Sequence, residues 1–132
     1  MACKTLSFNL MGQPVPWASS RQSGKRHFTS KKVSDYKDAL RWAAVGQERT
    51  FFEGPVRVDL TVHIGIPKSW SKKKQKECHN FHPGRPDLDN YIKIVLDAMN
   101  DVVWNDDAQV QIIHAEKYYN KLPKIVVLIR EL

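Results

Sequence analysis

The chain has 132 residues, enough for one well-cored domain and too few for two, and 42% apolar with 27% charged residues marks a folded chain rather than a disordered one. No stretch reaches the about 18 apolar residues of a membrane span, and Met1-Ala2-Cys3-Lys4 lacks an apolar signal core, so a cytoplasmic protein without membrane attachment is expected. The net charge is +7, yet residues 87–107 alone carry −5 and the rest +12, so an acidic island interrupts a basic body that suits a polyanionic partner.

In chain order, Leu6, Phe8 and Leu10 alternate and predict a first strand over 4–10. Residues 11–30 read as loop, punctuated by Gly12, Pro14, Pro16 and several serines, and they carry Arg21, Lys25, Arg26 and His27. A helix is expected from Ser30 or Ser34 to about Arg49, with Tyr36, Leu40, Ala43 and Ala44 as its apolar stripe. Residues 56–66 alternate strictly between apolar and polar, the pattern of a strand with one buried face, and Pro67 stops it. Residues 68–86 are polar and lysine-rich and predict a loop or one short helix.

Leu88, Tyr91, Ile92, Val95, Leu96 and Met99 form a single stripe at the helical period, with Asp87 at the N-cap or in the first turn and an end near Asn100. A short apolar piece, 102–104, is a candidate minor strand before the turn Asn105-Asp106-Asp107. Two final strands are expected at about 108–119 and 124–131. The order β-α-β-α-β-β predicts an α/β (α+β) fold, a single domain over 1–132, with two helices packed on one face of a small mixed sheet.

The acids admit two readings. Asp87 and Asp89 decorate a helix N-terminus, which stabilises negative charge by roughly 0.3–1 kcal/mol per group. Alternatively they converge with Asp107, and with Asp106 as a further candidate, if the chain returns along the helix. Like charges about 4 Å apart repel by about 1 kcal/mol in water and about 4 at a surface-like dielectric, so such a cluster calls for a counter-charge. Hard oxygen donors suit Mg²⁺, or Mn²⁺ in its place, and such an ion activates water and clamps a phosphoryl oxygen. Lys93 lies four residues from both Asp89 and Asp97; it reads either as part of a solvated ion-pair ladder or as a cation beside the metal. Cys78, His79 and His82 have no second ligand pair at zinc-finger spacing, and Cys3 is distant, so no zinc site is expected.

The motif Arg85-Pro86-Asp87-Leu88-Asp89-Asn90, then Lys93, then Leu96-Asp97-Ala98-Met99-Asn100, then Asp106-Asp107-Ala108-Gln109-Val110 resembles the RusA family of Holliday-junction endodeoxyribonucleases. Pro67-Lys68-Ser69-Trp70 and the lysines after it resemble the phage and prophage members. The resemblance implies a homodimer that resolves four-way DNA junctions in recombination and repair, using Mg²⁺ and no organic cofactor. It implies metal-ligand or catalytic roles for Asp87, Asp89 and Asp107, with Lys93 in support. Pro14-Val15-Pro16-Trp17 departs from the family pattern. A twofold dimer would match the two symmetric cuts that a junction needs. The basic residues expected on DNA are Arg21, Lys25, Arg26, Lys72, Lys73, Lys74 and Arg85, through contacts that position the backbone rather than read sequence. The competing readings are a non-catalytic nucleic-acid-binding module with structural acids, and a nuclease for flaps or forks.

Overall fold

The computed structural model describes residues 3–18, 30–46, 49–77 and 84–132. The candidate DNA contacts Arg21, Lys25 and Arg26, together with Cys78, His79 and His82, lie outside these residues.

The architecture is mixed α+β. Strand β1 (Thr5–Met11) is followed by helix α1 (Lys31–Val45), strand β2 (Val56–Gly65), short helix α2 (Lys72–Glu77), helix α3 (Leu88–Met99), and strands β3 (Val110–Asn120) and β4 (Lys124–Glu131). The sheet order is β1-β4-β2-β3. β4 pairs antiparallel with both β1 and β2, whereas β2 and β3 run parallel because α2 and α3 intervene.

The strict alternation of β2 buries Val56, Val58, Leu60, Val62 and Ile64. Ile125, Val127 and Ile129 of β4 and Phe8 of β1 join them in the core. α1 seals this layer with Val33, Leu40 and Ala44, and α3 with Tyr91, Ile94, Val95, Ala98 and Met99. Burial pushes the Tyr91 hydroxyl up to about 12. Ser30 caps α1, its Oγ accepting from the Val33 N–H at 3.2 Å, which settles the choice between Ser30 and Ser34. α1 ends at Val45, four residues before the expected end, where Gly46 adopts φ 42° and donates to the Trp42 carbonyl.

Residues 102–104 are a turn with bridges rather than a minor strand. The N–H groups of Val102 and Val103 both donate to the Met99 carbonyl, and Asp101 stands at φ 65°. Trp104 is fully buried and donates from Nε1 to Asn100 Oδ1 at 2.7 Å; it bridges Phe52 and Asn100. This anchor keeps the following turn near the C-terminal end of α3 instead of leading it back along the helix. A single 3-10 turn over Asp107–Gln109 then feeds β3, so that strand starts at Val110 rather than 108. Among the described residues β3 is an edge strand with no strand on its outer side, and none of its residues is buried.

Candidate active site

Helix α3 carries the acids, and its two ends are held differently. At the start, Asp87 occupies the N-cap position in extended conformation but makes no side-chain cap bond, so its carboxylate is not consumed by the helix. Asp89 follows in the exposed first turn, where the helix dipole favours negative charge. Lys117 of β3 reaches across to this end, its Nζ donating to the carbonyls of Gly84 and Pro86 at 2.7 Å each. Partial burial lowers the pKa of Lys117, and the nearby Asp87 charge pulls it part of the way back. Arg85, almost fully exposed, stands 3.9 Å from Asp87.

A cleft of about 380 Å³ opens beside Asp87, lined by Pro16, Trp17, Ala18, Arg85, Pro86, Asp87 and Asn90. Trp17 is fixed there by its backbone N–H, which donates to the Asn90 carbonyl at 3.0 Å. The Lys93 ammonium lies 3.5 Å from the centre of the Trp17 ring.

The other end of α3 faces the 3-10 turn. Asp106 is the N-cap of that turn, its Oδ1 accepting from the Ala108 N–H at 3.2 Å. Gln109 closes the capping box by accepting from the N–H groups of Asn105 and Asp106, and its amide donates to the carbonyls of Phe52 and Gly54 at 2.9 Å each. With Asp106 used as a cap, Asp107 is the acid that remains available. Its pKa is raised by the hydrogen bond with Asp106, then by burial and by the charges of Asp106 and Asp97. The same hydrogen bond, with the Ala108 N–H, holds Asp106 below the usual carboxylate range. The charges of Asp106 and Asp97 bearing on Asp107 make a local excess of negative charge.

Asp107 thus comes beside Asp97, not beside Asp87 and Asp89. Ten residues of helix separate Asp87 from Asp97, about 15 Å along the axis. Among the described residues no three His, Cys, Asp or Glu side chains stand close enough together to hold a metal ion. The donor chemistry suits a hard divalent cation, but one chain keeps the three expected ligands apart, in two sets at opposite ends of α3.

The lysine-rich segment lies at the Asp87 end. Trp70 packs edge-on against Tyr119 of β3 with centroids 5.1 Å apart, and Lys74 stands over Trp70 at 4.3 Å. Lys72, Lys73 and Lys74 are all exposed on α2. Three contributors escaped the sequence reading. Lys117 had a signal, because a charge stands where the helix-facing alternation Ile113, Ala115 calls for an apolar residue. Asp97 had one too, as a member of the charge island. Trp17 had none beyond its type.

Acids displayed along one helix, lysines at its start and an open cleft between them suit an enzyme that works on a phosphodiester backbone. The RusA endodeoxyribonuclease family model matches residues 10–130, nearly the whole chain. The chain belongs to this family, whose members are endonucleases of branched DNA junctions that depend on a divalent metal. It is also 37% identical over 136 residues to the uncharacterized protein YqaN of Bacillus subtilis (strain 168), covering 96% of each chain. No helix among the described residues is long and apolar enough to cross a membrane.

Proposed function

We propose that the protein is a Mg²⁺-dependent endodeoxyribonuclease, with Mn²⁺ able to substitute, that resolves four-way DNA junctions as a homodimer in the cytoplasm. Asp87, Asp89 and Asp107 are the metal ligands, and Lys93 is the supporting cation. The observation that carries this reading is the match to the RusA family over 10–130, together with an Asp87 carboxylate that makes no cap bond and an Asp107 carboxylate crowded by other acids.

The separation of the acids within one chain favours a site shared between two chains. The outer side of β3 is the surface that supports this. It exposes Ile112 and Ile113 at 45% and 40%, and an edge strand beside which no strand lies among the described residues invites pairing with another strand. Antiparallel pairing of two β3 strands about a twofold axis at Ile113 sets Asp107 opposite the partner's Tyr119. That is the end of β3 where Lys117 ties down the segment bearing Asp87. Each active site would then combine Asp87 and Asp89 of one protomer with the partner's Asp107.

A bound divalent cation supplies charge to the scissile phosphate and lowers the pKa of a water. The protein's own residues do the rest. Asp87 and Asp89 orient the ion from the helix tip. Lys93 offsets charge that builds on the phosphate. Lys72, Lys73, Lys74 and Arg85 hold the backbone, as do Arg21, Lys25 and Arg26.

The test is cleavage of a synthetic four-way junction in Mg²⁺ or Mn²⁺. Wild type cuts it in preference to linear duplex, flaps and forks, and Asp89→Asn binds the junction without cutting. A purified, folded protein that binds DNA but cuts no branched substrate with either ion would reduce it to a binding module.

A further inference from the structure

Lys93 stands one helical turn after Asp89 and one turn before Asp97, the spacing at which an ammonium and a carboxylate on a helix normally pair. It pairs with neither. Among the described residues, no Lys93 ion pair falls within 4.0 Å. The ammonium lies instead on the face of Trp17, 3.5 Å from the ring centre. The ring does not depend on the lysine for its place. The Trp17 backbone N–H is bonded to the Asn90 carbonyl, and the side chain packs partly against the core. A cation over an indole is worth at least as much as an exposed helical ion pair, so the ring keeps the ammonium.

We propose that Trp17 is a positioning residue that parks the Lys93 ammonium on its indole face and so keeps it off the Asp89 and Asp97 carboxylates, leaving these acids open to a divalent cation. This rests on the reading of Asp89 as a cation ligand. Without the ring, Lys93 swings to the nearest carboxylate and becomes an internal competitor of the metal. The lysine thereby stays close to the site without neutralising it.

The test is calorimetric titration of the full-length protein with Mn²⁺, in four forms. Trp17→Leu should bind Mn²⁺ several-fold more weakly than wild type, and Trp17→Phe should stay close to wild type because a ring face remains. Adding Lys93→Met to Trp17→Leu should restore affinity to at least the wild-type level. If Trp17 only supports the fold, the double variant binds as poorly as Trp17→Leu. That result overturns the proposal, as does unchanged affinity in Trp17→Leu with its fold intact by circular dichroism. A second readout needs no metal. In wild type the Lys93 ε-methylene protons should be shifted upfield by the indole ring current; in Trp17→Leu they should lose that shift and show contacts to the β-protons of Asp89 or Asp97. If wild type binds no Mn²⁺, the cation reading of the acids falls, and the proton shifts alone decide whether Trp17 positions Lys93: shielded protons uphold it and unshielded protons overturn it.

Discussion

Lys117 on β3 donates to the carbonyl of Pro86 at 2.7 Å and thereby ties the residue before Asp87 to the sheet edge. The same ammonium holds the Gly84 carbonyl, so one side chain fixes the approach to α3. Replacing it with Met keeps the aliphatic stem and removes both bonds. The expected cost in stability is modest, on the order of 1 kcal/mol. The expected cost in junction cleavage is larger than in junction binding, because the Asp87 segment loses its anchor while the basic surface barely changes. Urea unfolding and single-turnover kinetics check the two parts.

Asp107 carries a raised pKa through its hydrogen bond with Asp106, then through burial and the like charges of Asp106 and Asp97. Asp107→Asn removes that repulsion. In EDTA at pH 7 its melting temperature should therefore rise slightly above wild type, on the order of a degree. Added Mg²⁺ should stabilise wild type and leave the variant nearly unchanged, since an ion that binds only the folded state raises its stability. The difference in EDTA should shrink in 1 M salt.

The open face of the sheet gives a pH prediction independent of the active site. Asp59 bonds to Arg57 at 2.9 Å and lies 3.4 Å from Arg130. The hydrogen bond with Arg57 holds its carboxyl below the usual range, against an opposing effect of burial. A depressed folded-state pKa means that the stabilisation is present above the ordinary carboxylate pKa and is lost as pH falls through the folded value. Asp59→Asn should destabilise the protein by roughly 0.5–1 kcal/mol at pH 7, as for other partly exposed ion pairs. At pH 2–3 the variant and wild type should converge. Melting curves across that range give the answer.

Gln109 ties the 3-10 turn to the segment before β2 through the carbonyls of Phe52 and Gly54. Gln109→Ala should cost about 1–3 kcal/mol through lost capping and carbonyls left unsatisfied. It should also weaken cleavage more than Asn105→Ala does, because the turn that presents Asp107 loosens. Denaturant unfolding and cleavage rates of the two variants make the comparison.

Much of the fold was legible because its signals are local. The strict alternation of 56–66 became β2, and the stripe from Leu88 to Met99 became α3, whose buried face keeps Tyr91, Val95 and Met99 but takes in Ile94 and Ala98 in place of the partly buried Leu88, Ile92 and Leu96. The path after α3 was not legible. A strand along 102–104 would have led the turn back toward Asp87, but Trp104, buried and bonded to Asn100, and Asp101 at positive φ turn the chain the other way. That choice is set by a tertiary anchor, which periodicity cannot report. The acids themselves stood out in the charge count, whereas their partition between the two ends of α3 depends on which element Asp107 meets. Trp17 gave no signal beyond its type, since the contact with Lys93 spans more than half the length of the chain.

The most direct test mixes two inactive variants, Asp87→Asn and Asp107→Asn, each folded and dimeric, and lets their subunits exchange. If the site combines Asp87 and Asp89 of one protomer with the partner's Asp107, every mixed dimer, about half of all dimers after exchange, carries one intact site. The mixture should nick one strand of a four-way junction in Mg²⁺ although neither variant cuts alone. A mixture that has exchanged subunits and still leaves the junction uncut would contradict the account.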